Sequence, residues 1–143
     1  MEKRIKEILI DASLDNLDCV EEFIENSLEE VFCPKKICMQ VVLCMEEIFV
    51  NIASYAYENE AGDCMIHLET QYTETGGKIA IEIVDSGVEF NPLEKEDPDI
   101  TLSAEEREIG GLGIFMVKKI MDVVEYNYEN KKNILKMEKS WGT

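Results

Sequence analysis

The chain has 143 residues, room for one compact domain, and 45% of them are hydrophobic, enough for a core. Its 14 Lys and Arg against 31 Asp and Glu leave a net charge of −17, which excludes the basic footprint of a nucleic-acid-binding protein. No stretch reads as the roughly 20 apolar residues of a membrane span, and MEKRIKEILIDAS lacks the apolar centre of a signal peptide, so a cytoplasmic protein without a membrane partner is expected.

In chain order, residues 3–10 read as a strand through Ile5, Ile8, Leu9 and Ile10. Asp11 or Ser13 then offers an N-cap, and Leu14, Leu17, Val20, Ile24, Leu28 and Val31 recur at helical spacing. Pro34 suits the first turn of a second, long helix over about 35–57. Ile37, Val41, Cys44, Ile48, Ile52 and Tyr55 form one apolar row on it, and Cys38, Val42, Met45, Phe49, Ala53 and Ala56 the next. NEAGD (59–63) ends this helix, and strands over 64–73 and 78–84 follow, joined by a turn around TGGK (75–78). Residues 86–108 are acidic, hold Pro92 and Pro98, and predict a long functional loop. A third helix runs from about Leu112 to Met121, and strands over 123–129 and 133–141 flank an ENKKN turn. The five cysteines form no CxxC pair and fall mostly in helical patterns, so reduced core thiols are expected, with neither zinc nor disulfides. The order β-α-α-β-β-loop-α-β-β gives an α+β fold with a mainly antiparallel sheet and helices on one face.

Three stretches could carry chemistry. EEIFVN sets Glu47 and Asn51 four apart on one helix face, beside the apolar stripe. That makes them a carboxylate and an amide at a pocket's edge, or two polar residues on a solvated flank. VDSG ends a strand with Asp85, which either forms a turn through nearby amides or accepts a hydrogen bond from a ligand's amino group. EIGGLGIFMVKK opens a helix with Gly110, Gly111, Leu112 and Gly113. Such glycines serve a turn, or let backbone amides approach an anion at the positive end of the helix dipole. Lys118 and Lys119 lie too far along to sit at that entrance, though a long side chain could still line a phosphate cleft. Neither a Walker A loop nor a Rossmann fingerprint is present.

The order and spacing of these stretches resemble the GHKL (Bergerat-fold) ATP-binding domain, over nearly the whole chain. NIASYAY, VDSGVEFNP and EREIGGLGIFMVKKIMD running into VVEYNYENKKNILKMEK are most similar to the small anti-sigma factor serine kinases of the RsbW and sporulation type. The resemblance implies a two-layer α/β sandwich forming one domain over 1–143, with ATP and Mg²⁺ as cofactors. Glu47 would be the general base, although Glu46 stands beside it. Asn51 would hold Mg²⁺, and Asp85 would accept the adenine amino group above a turn begun by Gly87. Residues 88–109 would form an ATP lid with Arg107 as a γ-phosphate contact, and Gly110 to Gly113 would bring amides to the phosphates. Implied partners are a small STAS-type anti-sigma factor antagonist, phosphorylated on serine, and a sigma factor held in an alternative complex; homodimerisation is a further expectation. The competing reading is an ATP-dependent protein-binding module with little turnover.

Overall fold

A computed structural model describes residues 2–57, 60–94 and 111–142. The strands are β1 (Glu2–Asp11), β2 (Asp63–Thr73), β3 (Gly76–Asp85), β4 (Val123–Glu129) and β5 (Lys132–Gly142). The helices are α1 (Leu17–Glu29), α2 (Lys35–Asn51) and α3 (Gly111–Ile120). All five strands pair antiparallel in the order β1-β2-β3-β5-β4. The fold is therefore the α+β arrangement that the order of elements implied.

Strand alternation divides the sheet into two faces. Ile66 and Leu68 of β2, Ile79, Ile81 and Ile83 of β3, and Leu135 and Met137 of β5 are buried together with Val20, Ile24 and Leu28 of α1. The same cluster holds Val41, Cys44, Met45, Ile48 and Phe49 of α2, and Ile114 and Val117 of α3. Three helices thus cover one face, with α2 packed between α1 and α3. The opposite face carries charge, including Lys78 paired with Glu138 at 2.7 Å and Lys3 with Glu69 at 3.2 Å.

Four details depart from, or sharpen, the expectations. Ser13, not Asp11, caps the entrance to the first helical segment: its hydroxyl accepts from the Asp15 N–H at 3.2 Å, at the head of a 3-10 turn over Leu14–Asn16. The hairpin between β2 and β3 turns at residues 74–75, and the glycines expected in the turn belong to β3. The reason is steric: a Cβ on Gly76 would overlap the Trp141 carbonyl, and one on Gly77 would lie 2.5 Å from the Trp141 ring. The β4–β5 turn does fall in ENKKN, with Asn130 (φ 54°) and Lys131 (φ 63°) in the left-handed conformation that a tight hairpin needs. Finally, Lys35–Ala56 is long and apolar enough to cross a membrane by length and composition, with a mean hydropathy of 1.6. No such span had been expected. Here its apolar stripe is taken up by the core, where Val41, Cys44 and Phe49 are fully buried.

His67 sits on the charged face, with Nδ1 2.7 Å from Glu7 and Nε2 3.6 Å from Glu69. The hydrogen bond to Glu7 raises its pKa above the ordinary value of about 6.5. A raised folded-state value means that this interaction contributes fully below about pH 6.5 and is lost as pH rises through the folded value. Denaturant unfolding across the neutral range should show that decline, and His67→Gln should flatten it. An identical slope in the variant would remove His67 as its source.

Candidate functional site

The site is built around the C-terminal end of α2. The expected helix over 35–57 is present, but its last turn, Ile52–Ala56, widens into a π-helix. A π turn drifts away from the 3.6-residue periodicity, and such turns gather at functional sites. The drift explains one failed assignment: Tyr55, placed on the apolar stripe, is 63% exposed, while Ala56 is buried.

Beyond this turn the chain docks against the segment leaving β3. The Val88 N–H donates to the Ala56 carbonyl at 2.8 Å, and Gly87 lies so close that a Cβ would overlap the same carbonyl oxygen. Tyr57 adds a second tie, its hydroxyl donating to the Asp63 carbonyl and accepting from the Ser86 N–H. Burial raises the pKa of that hydroxyl, which stays protonated at neutral pH.

Asp85 is only 6% exposed, at the end of the inward-facing series Ile79, Ile81, Ile83; Val84 faces the other side. Its Oδ1 accepts from the Gly87 N–H at 2.9 Å and from Asn133 Nδ2 at 3.0 Å. Both bonds fall on one oxygen, leaving Oδ2 without a donor among the described residues. Asp85 and Asn51 line one narrow cleft of about 40 Å³, walled by Ile52, Phe90, Pro92 and Tyr126. An apolar cavity with a few convergent polar groups is what a flat heteroaromatic ligand requires.

Glu47 lies one turn before Asn51 and reaches α3: a Cβ on Gly113 would overlap its carboxylate. The neighbouring Glu46 faces the other way. It lies beside Glu21 of α1, whose pKa is raised by burial and by that neighbouring carboxylate. Geometry therefore separates the two adjacent glutamates, and Glu47 alone is beside the glycine-opened helix.

The backbone of Gly111, Leu112 and Gly113 forms the first turn of α3, where amide groups lack helical partners and favour an anion. Arg107, Gly110 and residues 95–109 of the expected lid lie outside the described residues. Lys118 and Lys119 fall in the last turn of α3, away from the entrance as anticipated, and Lys119 Nζ stands 5.4 Å from the Phe115 ring centroid. The buried thiols are unsuited to nucleophilic work, because burial pushes Cys64 to about 12 and Cys44 to about 11.

One residue escaped the sequence reading. Asn133, 7% exposed, pairs across from Asp85 in the β3–β5 register and bonds its carboxylate. The available signal was alternation: Asn133, Leu135 and Met137 share a face, so a polar side chain at an apolar position needed a partner.

The family model described as the histidine kinase-like ATPase domain matches residues 10–139. One similar protein is the serine/threonine-protein kinase BtrW of Bordetella bronchiseptica, 25% identical over 95 residues. The aligned region covers 66% of this chain and 65% of that protein, a little under two thirds of its length.

Two glycines separate packing from function. At Gly87 an added Cβ meets backbone, so Gly87→Ala should destabilise by about 1–3 kcal/mol. At Gly113 it meets only the mobile end of Glu47, so Gly113→Ala should change stability by less than about 1 kcal/mol, helped by helix propensity, while displacing that carboxylate. Denaturant unfolding of the two variants tests the contrast; equal losses would contradict the placement of Glu47.

Proposed function

The chain belongs to the histidine kinase-like ATPase domain family, and we propose that it is an ATP-dependent serine/threonine kinase of the anti-sigma factor type. The observation that carries the reading is the convergence of Asp85 and Asn51 on one cleft, with Glu47 beside Gly113 at the start of α3. An ATPase domain implies ATP binding, and the printed name of the relative, a serine/threonine-protein kinase, supports transfer to a hydroxyl.

In this reading adenine enters the apolar cleft and its amino group donates to Asp85. The first-turn amides of α3 receive the phosphates. Asn51 fits a Mg²⁺ site, since it is an oxygen-bearing residue beside the cleft and Mg²⁺ usually takes few protein ligands, completing its shell with water and phosphate oxygens. Bound there, Mg²⁺ would neutralise phosphate charge. Phosphoryl transfer depends chiefly on positioning and charge neutralisation. Glu47 takes the proton of a serine hydroxyl as its oxygen bonds the γ-phosphorus and the bond to the ADP bridging oxygen breaks. The serine belongs to a small antagonist protein of the STAS type, and a sigma factor is the partner held in the alternative complex.

Thermal unfolding with ATP and Mg²⁺ tests the binding step. At about 100 times the dissociation constant, ligand should stabilise the protein by roughly 2.7 kcal/mol, with GTP ineffective and Asp85→Asn unresponsive. Glu47→Ala should retain the ATP shift and lose phosphate transfer to a candidate antagonist. Transfer unchanged in Glu47→Ala would sink the mechanism, and ATP-dependent partner binding without transfer in the wild type would favour a binding module.

A further inference from the structure

Asn133 has no part in the transfer step described above, yet its side chain is fully engaged. Nδ2 donates to Asp85 Oδ1 at 3.0 Å and to the Val88 carbonyl at 2.8 Å. Oδ1 accepts from the Phe90 N–H at 3.1 Å and from the Tyr126 hydroxyl. An asparagine side chain offers two N–H donors and two acceptor lone pairs, and all four are in use. The network also fixes the orientation of the amide, since a flip would set oxygen against the carboxylate and the carbonyl.

The four partners come from three places. Asp85 ends β3, Val88 and Phe90 belong to the segment leaving it, and Tyr126 projects from β4. Val88 is held from the opposite side as well, by the Ala56 carbonyl at the end of the π turn. Residues 88–90 are therefore clamped between α2 and β5, and the β5 jaw is the same side chain that holds Asp85.

We propose that Asn133, itself held by Tyr126, is a positioning residue that couples base recognition at Asp85 to the seating of residues 88–90. The inference rests on the ATP reading given above. A donor on the base that orders Asp85 also orders Asn133, and through it the segment that walls the cleft with Phe90. The coupling is reciprocal: releasing residues 88–90 removes two of the four bonds that hold Asn133, one of the two donors on Asp85, so the seated segment and the bound base strengthen each other.

The experiment uses the full chain as wild type, Asn133→Leu, Tyr126→Phe and Asp85→Asn. Hydrogen exchange is followed over residues 86–94, without nucleotide and with saturating ATP, beside calorimetric binding of ATP. Asn133→Leu, which keeps the volume and removes all four bonds, should speed exchange over 86–94 by roughly tenfold without nucleotide. It should weaken ATP binding by roughly tenfold, and ATP should no longer slow exchange in that segment. Tyr126→Phe leaves Asn133 in place and should move both readouts the same way by a smaller factor. If Asn133→Leu does not fold, Tyr126→Phe alone decides. A fall in thermal midpoint with segment exchange and ATP affinity unchanged marks a purely structural role and overturns the proposal. Wild-type protein that binds no ATP defeats the functional reading instead, while exchange in the nucleotide-free protein still decides the clamp.

Discussion

The burial of α2 between α1, α3 and the sheet is the constraint from which the site is measured. Val41, Cys44 and Phe49 are fully buried and Met45 and Ile48 nearly so, and each large side chain contributes about 1.5–3 kcal/mol by leaving water. Rotating the helix would expose that whole stripe, so the outward azimuth of Glu47 and Asn51 is fixed by packing they take no part in. The same anchoring sets the height of the π turn, and through the Ala56 carbonyl the point where residues 87–88 dock. One helix thereby positions the carboxylate, the amide and the floor of the cleft.

The fold was largely legible because its elements are periodic. The row Leu14, Leu17, Val20, Ile24, Leu28 and Val31 and the double row of α2 announced two helices, and the structure buries most of those positions, with Leu14 and Tyr55 left exposed. What the pattern could not convey was local geometry set by neighbours remote in sequence. Gly76 and Gly77 read as a turn because glycines usually mark one. Their actual role depends on Trp141, more than sixty positions later, whose ring and carbonyl leave no room for a side chain. The π turn was equally invisible, because no residue type encodes it. It lies between Asn51, which ends the regular helix, and Ala56, which docks against Gly87.

The site divides along the same line. The stretches containing Asn51 and Asp85 were recognisable as polar residues at the margins of apolar patterns, and the structure brings them to one cleft. The choice between Glu46 and Glu47 rested on spacing alone until α1 and α3 were placed around them, one carboxylate turning to Glu21 and the other to Gly113. Asn133 was missed because it stands at the edge of a turn motif, where asparagine is common. Only the pairing of β5 with β3 reveals it as the partner of Asp85.

A chain of net charge −17 that handles a polyanion, as proposed here, faces long-range repulsion that a few lysines would not cancel. Charges farther apart than a Debye length are largely screened, about 8 Å at physiological salt, so the contest is decided at close range. There the site presents, beside the Glu47 and Asp85 carboxylates, neutral dipoles: the first-turn amides of α3, the Asn51 amide and an apolar wall. Lys118 and Lys119 stand at the far end of the same helix, where cations complement its negative terminus. Affinity for the base would then come from desolvated stacking and from one carboxylate oxygen, with the phosphates held by dipoles and a divalent ion. Such a site would bind weakly without the ion and more tightly as salt screens the acidic surface, the reverse of what a lysine-lined phosphate site would do.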